Sequence, residues 1–256
     1  MILLKLGGSL ITDKHRPETS RPHVLSRLAQ EIAQARQEQP ELKLVVGHGS
    51  GSFGHTAAAR HGTHLGASNA ADWLGFAEVW AAAQRLNRLV IDALIETGLP
   101  AIAFPPSASA ISDDGIMLEM AIEPIKRALE NGLLPVVYGD VAFDSTRGAT
   151  ILSTEKVFAY LAEHLRPDRV LLAGLDPGVY ADYPQSDEIL PVVTEQNLLK
   201  ITLEGAAAPD VTGGMGNKVQ EAMALARTLP DLEVRIFSGE EPRTLTSALL
   251  GGSQVH

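Results

Sequence analysis

The chain has 256 residues, 45% of them hydrophobic, enough to bury a substantial core in one large domain or two fused lobes. A net charge of −10 and an aromatic content of 5% argue against a general nucleic-acid binder, which uses a basic face and stacking rings. Cysteine is absent, which removes disulfides, thiolate metal sites and a cysteine nucleophile, and no apolar run approaches the roughly 18–20 residues of a membrane span.

In chain order, the apolar run ILLKL (2–6) predicts a first strand. It carries no charged leader and no small-residue cleavage site, so it reads as a buried strand, and the cytoplasm is the expected setting. Helical periodicity follows at 22–38, then the run LKLVVG (42–47), a helix over 70–97 and the run PAIAF (100–104). A helix at 120–131, the run LLPVVYG (133–139), a helix at 154–165 and the run RVLLAG (169–174) come next. A helix at 214–228 and the run EVRIF (233–237) complete the pattern. Such alternation predicts an α/β protein, a three-layer αβα sandwich with a mainly parallel central sheet covered on both faces. GLDPGVYADYP (174–184) is the densest turn region, and EGAAAPDVTGGMG (204–216) reads as a mobile loop.

The stretch VVGHGSGSFGH (45–55) puts a glycine- and serine-rich loop behind a strand and closes it with a histidine. Gly49, Gly51 and Gly54 satisfy G-x-G-x-x-G, but the loop follows the second strand, and Asp72, at the spacing of a ribose-binding acid, falls in helical sequence. A dinucleotide fingerprint is therefore rejected, and no Walker A loop is present. What survives is a glycine turn whose backbone N–H groups suit a phosphate. The plainer alternative is a tight strand–helix connection, yet the pattern recurs in KLGGSL (5–10) and DVTGGMGNK (210–218).

Each of those two loops has a lysine beside it. Lys5 sits inside an apolar run, where an unpartnered charge is costly, and Lys218 falls about one turn into a helix. Lys14 lies in the polar loop ITDKHRPE, where a solvated surface charge is the ordinary reading. Three lysines beside three phosphate-shaped loops suit phosphoryl transfer, which needs cations around the transferred group. His48, His55, His61 and His64 cluster without an H-E-x-x-H motif or an intervening carboxylate, so no zinc site is expected. His48 reads as structural.

KLGGS, the loop ending in GSFGH, YGD (138–140) and DVTGGM…K together resemble the amino-acid kinase superfamily, and within it the isopentenyl phosphate kinases. The similarity runs from residue 1 to about residue 250. His55 is the discriminating position: relatives that phosphorylate carboxylates generally lack it, whereas isopentenyl phosphate and fosfomycin kinases carry it. The resemblance implies a single amino-acid kinase domain over 1–256, with an acceptor lobe of about 1–165 and a nucleotide lobe of about 166–256. It further implies ATP and magnesium, a phosphomonoester acceptor and a homodimer.

By the same resemblance, Lys5, Lys14 and Lys218 would screen the transferring phosphoryl group, with Gly7, Gly8, Ser9 and Gly51 holding phosphate through the backbone. Ser50, Gly51, Gly54 and His55 would take the acceptor phosphate, beside Gly139, Asp140 and Thr154. The periodicity of ADWLGFAEVWAAAQRL aligns Trp73, Phe76, Trp80 and Ala83 in one apolar stripe, most of which must pack on the sheet. The resemblance makes Phe76, Val79 and Ala83 walls for a hydrocarbon tail. It places the nucleotide around Ala173–Gly178, including Asp176 and Gly178, and at Gly214 and Lys218.

Two departures stand out. Where relatives have T-D-V-D-G-V this chain reads G-L-D-P-G-V, with Asp176 shifted by one, and Ser153-Thr154-Glu155-Lys156 replaces S-G-D-D. Glu155 or Asp140 is then left to orient the active-site lysine. A phosphonate kinase, a carboxylate kinase and a non-catalytic nucleotide-binding storage or regulatory protein are the competing readings.

Overall fold

The computed structural model describes residues 1–181, 188–194 and 215–252. In chain order it gives β1 Ile2–Leu6, α1 Gly8–Ile11, α2 Pro22–Glu38, β2 Leu44–His48, α3 Gly51–His61 and a 3-10 turn at Thr63–Leu65. Then come α4 Ala70–Glu96, β3 Ala101–Ala103, α5 Pro106–Ser109, β4 Ala110–Asp113, β5 Ile116–Met120 and α6 Glu123–Glu130. The remainder is β6 Leu134–Tyr138, β7 Asp140–Asp144, β8 Gly148–Leu152, α7 Thr154–Leu165, β9 Arg169–Gly174, β10 Val179–Tyr180, β11 Ile189–Leu190, α8 Met215–Thr228, β12 Glu233–Ser238 and α9 Thr244–Leu249.

The six apolar runs of the sequence are the six strands of one sheet, ordered β12-β9-β1-β2-β6-β3, with every pairing parallel. The central strands are buried on both sides, which explains continuous apolar runs in place of alternation. Their two faces feed two cores. Ile2, Leu4 and Leu6 pack with α2 and α4, whereas Leu3 packs with Val157, Phe158 and Leu161 of α7 and Leu225 of α8. Period-two alternation then puts Lys5 on the Leu3 face, toward α7 and α8.

Local chemistry sets the helix starts. Pro22 occupies the first turn of α2. Asn69 and Asp72 form a reciprocal capping box on α4, with the Asn69 side chain accepting from the amides of Ala71 at 2.9 Å and Asp72 at 3.2 Å. Ser153 Oγ accepts from Lys156 N at 3.2 Å to cap α7. The carboxylate of Glu31, buried in α2, accepts from Leu245 N at 3.0 Å and Thr246 N at 3.2 Å, capping α9, which has no side-chain cap of its own.

Three expectations need correction. The predicted helix at 120–131 begins at Glu123, because Met120 ends β5. The 45–55 stretch is not loop to its end: β2 runs to His48, Gly49-Ser50 is the turn, and α3 begins at Gly51. Glycine disfavours a helix start, but tertiary bonds hold this one: Ser52 N donates to Thr12 Oγ1 at 3.0 Å and Thr19 N to Ser52 Oγ at 3.3 Å. The apolar stripe of α4 does not run through Trp73 and Trp80, which are 38% and 43% exposed; the buried face carries Val79, Ala82, Ala83, Leu86 and Val90.

A second sheet, ordered β5-β4-β7-β8, lies outside the sequence-based expectation. Asp144 clamps both of its turns, accepting from Asp114 N at 3.1 Å and Gly115 N at 2.7 Å in one and from Thr146 N at 3.1 Å and Arg147 N at 2.8 Å in the other. Of the turn-rich stretches, 174–184 contains β10 in its described part, and 204–214 lies outside the described residues.

Candidate active site

In a parallel sheet all strands end on the same edge, so the chain leaving β1, β2, β6 and β9 gathers there. The first two glycine turns meet backbone to backbone. A Cβ on Gly8 would stand 2.6 Å from the Gly51 nitrogen, and one on Gly49 would stand 2.9 Å from the Gly8 nitrogen. Gly51 itself has φ +49°. Only glycine satisfies this contact, which answers why the sequence uses bare residues there. Gly7 N donates to Ala173 O at 2.8 Å, tying the same turn to the end of β9. Thr12 Oγ1 completes the joint, donating to Gly8 O at 2.7 Å and accepting from Ser52 N at 3.0 Å. Sequence reading missed Thr12; its place one turn after Gly8 in GSLIT was the available signal.

Lys5 is 7% exposed, and its ammonium pairs with the Glu155 carboxylate on the first turn of α7. Burial alone would push the Glu155 carboxyl up, but Lys5, by charge and hydrogen bond, and Lys218 hold it below the ordinary carboxylate range. Lys5, Gly7, Glu155, Asp176 and Lys218 line one cleft between the ends of β1 and β9 and the start of α8. Lysines nearly the whole chain apart in sequence therefore face one space. The carboxylate beside Lys5 is Glu155, not Asp140, whose oxygens take the amides of Ser107 at 3.2 Å and Val141 at 2.9 Å.

Lys14 is exposed in a loop closed by the Thr12–Ser20 bridge. That loop is bound to the start of α3 through Glu18 N to Ser52 O at 3.2 Å and Thr19 N to Ser52 Oγ at 3.3 Å. His55 lies exposed one turn into α3, three residues beyond Ser52. The Gly54 N–H bonds Ser50 O at 3.1 Å, so Gly54 does not offer the expected backbone donor. Its bareness serves packing, since a Cβ would come within 2.5 Å of Ser50 Cβ. Thr154 is likewise committed: 1% exposed, it donates Oγ1–H to His48 O at 2.6 Å.

Beneath the turn, His48 is fully buried, stacked on Tyr138 with ring centroids 5.2 Å apart and within 3.2 Å of Asn87 Oδ1. Burial lowers its pKa to about 4, against the opposing pull of Gly49 O and Asn87, so the ring is neutral at physiological pH. Gly139 N donates to the His48 carbonyl at 3.1 Å, which brings the end of β6 against the same turn. Burial raises the Asp140 carboxyl to about 6 despite its amide donors, and burial together with Asp140 raises the Tyr138 phenol.

Phe76 is half-buried, and Val79 and Ala83 are buried in α4. Phe76 touches Trp73 at 5.6 Å and Phe143 of β7 at 5.2 Å between ring centroids. The small sheet thus contributes an aromatic ring beside α4. Gly178 is buried, and a Cβ there would meet Ile189 at 2.6 Å, so it seats the β10–β11 pair. Gly214 lies outside the described residues. His61 pairs with Glu78 at 2.6 Å.

The profile of the amino acid kinase family matches residues 1–238. An isopentenyl phosphate kinase from Methanothermobacter thermautotrophicus is 36% identical over 262 aligned residues, covering 98% of this chain and 96% of the relative. One from Haloferax volcanii is 36% identical over 250, covering 96% and 98%. More distant is a uridylate kinase from Azorhizobium caulinodans, 29% identical over 257 residues, covering 99% and 94%. A solved isopentenyl phosphate kinase superposes with a TM-score of 0.85 at 32% identity, covering 99% of this chain and 97% of that one. A carbamate kinase at 14% identity and a TM-score of 0.70 shares the fold. The chain belongs to the amino acid kinase family and, within it, to the isopentenyl phosphate kinases.

Proposed function

We propose that the protein transfers the γ-phosphoryl group of ATP to isopentenyl phosphate, giving isopentenyl diphosphate and ADP. The observation that carries this reading is the backbone contact of the Gly8 and Gly49–Gly51 turns, with buried Lys5 on the strand that leads into the first and His55 one turn into the helix that follows the second. Two anionic groups could lie end to end across such a joint. The full-length relatives named isopentenyl phosphate kinase supply the acceptor.

In this reading the acceptor phosphate is already an oxyanion, so no general base is needed and the work is positioning and screening. An acceptor oxygen attacks the γ-phosphorus in line; the new P–O bond forms as the bond to the β-γ bridging oxygen breaks, and ADP leaves with that electron pair. Lys5 and Lys218 meet charge on the transferring group, Glu155 keeps Lys5 aimed, and Lys14 approaches from its loop. His55 donates a ring N–H to the acceptor phosphate. Phe76, Val79 and Ala83 exclude water around the hydrocarbon tail. Magnesium, when bound, adds positive charge on the nucleotide's phosphate oxygens. A homodimer in the cytoplasm belongs to the same reading, carried by the resemblance and by the cysteine-free composition.

Incubation with magnesium-ATP and equal concentrations of isopentenyl phosphate, a phosphonate and an amino-acid carboxylate, read as ADP release, tests the assignment. The phosphomonoester is expected to turn over fastest by far. Preference for the phosphonate or the carboxylate would replace the substrate, and ATP binding without any transfer would replace the activity.

A further inference from the structure

Lys14 sits on a loop whose other lateral tie is an ion pair. Glu18 receives a bidentate fork from Arg85 of α4, Nε to Oε2 at 3.0 Å and Nη2 to Oε1 at 2.7 Å. The rest of the loop is held at its base and at α3: Thr12 bridges Ser20, Asp13 N donates to Thr19 O at 2.9 Å, and Glu18 N donates to Ser52 O at 3.2 Å. Residues 14–18 are otherwise exposed. Glu18 also has φ +47°, a left-handed backbone in which a side chain is strained and glycine would be at ease. From that backbone position the Glu18 carboxylate is engaged by the Arg85 fork.

We propose that Arg85 and Glu18 are positioning residues for phosphoryl transfer: their ion pair fixes the loop so that Lys14 faces the first turn of α3. The proposal rests on the reading of Lys14 as a screening cation. Arg85 follows Ala83 by two residues on α4, so the helix that walls the acceptor tail also anchors the loop bearing that cation. The pair is solvent-exposed, 52% at Arg85 and 43% at Glu18, so it adds little to global stability. Its effect lies in placement, where small displacements are costly in rate.

The test is a charge-swap series in the full chain: Arg85→Ala, Glu18→Gln, the double Arg85→Glu with Glu18→Arg, and Lys14→Ala alongside. For each, kcat, the two KM values and the thermal midpoint are measured. Arg85→Ala and Glu18→Gln are each expected to lower kcat about fivefold, the equivalent of about 1 kcal/mol. KM for ATP and the thermal midpoint stay near wild type, and the swap restores most of the loss. Wild-type kcat in Arg85→Ala beside a collapsed Lys14→Ala overturns the positioning role while leaving Lys14 in place. Wild-type kcat in Lys14→Ala overturns the reading beneath it. A drop in the thermal midpoint that tracks kcat, unrepaired by the swap, makes the pair merely structural and overturns the proposal as well.

Discussion

Around Gly8, Gly49 and Gly51 the chain touches itself backbone to backbone, whereas at Trp73, Phe76 and Phe143 it presents rings 5.2–6.0 Å apart at a partly open surface. The first region is built from what side chains are not there; the second from large ones. A phosphate is small, charged and identical in every substrate, so its cradle is defined by amides and lysines in fixed places. A hydrocarbon tail has no direction to satisfy and asks only for buried area. The cradle should therefore fail sharply when altered, and the aromatic flank gradually.

The sharpest break is Gly8→Ala. Its new Cβ would lie 2.6 Å from a backbone nitrogen that no rotamer can move, so the two turns must separate. kcat/KM is expected to fall at least ~100-fold, with circular dichroism near wild type. Retained activity would mean the turns need not touch.

Next is Glu155→Gln, which keeps shape and removes the charge that holds Lys5. Loss of one charge-assisted contact predicts a fall of about 10- to 100-fold in kcat, seen in steady-state rates at saturating substrates. An unchanged kcat would show that Lys5 is aimed by something else.

On the flank, Phe76→Ala should raise KM for isopentenyl phosphate about tenfold while kcat and KM for ATP move less than about twofold. A short acceptor such as methyl phosphate, tested in parallel, should be indifferent to the change. If the short acceptor suffers equally, Phe76 supports the cradle and the contrast between the regions dissolves.

The same contrast explains what could be read from the sequence. The central strands β1, β2 and β6 announced themselves because burial on both faces gives unbroken apolar runs, and Lys5 stood out because it interrupts one; the edge strands β3 and β12, partly exposed, were read from short apolar runs. Glycines at 8, 49 and 51 were legible because close approach leaves no alternative residue. The second sheet was not, because β4 and β5 are partly exposed, with Ile111, Ile116 and Leu118 facing out, and the turn between them depends on a carboxylate about thirty residues away, Asp144. Phe143 was consequently missed as a neighbour of Phe76. Helix α3 was hidden by its glycines, since the partners that hold its first turn, Thr12 Oγ1 accepting from Ser52 N and Thr19 N donating to Ser52 Oγ, come from another segment. Choosing Glu155 over Asp140 as the partner of Lys5 needed the third dimension, because both are acids at the ends of strands or starts of helices.

The whole scheme turns on a nucleotide and an acceptor held by separable groups on either side of one joint. His55→Ala examines that most directly, with ATP affinity measured by calorimetry and isopentenyl phosphate turnover followed by phosphorus NMR. The scheme predicts ATP affinity within about twofold of wild type and turnover reduced ~100-fold or more. Wild-type turnover, or loss of ATP binding in step with turnover, would contradict it.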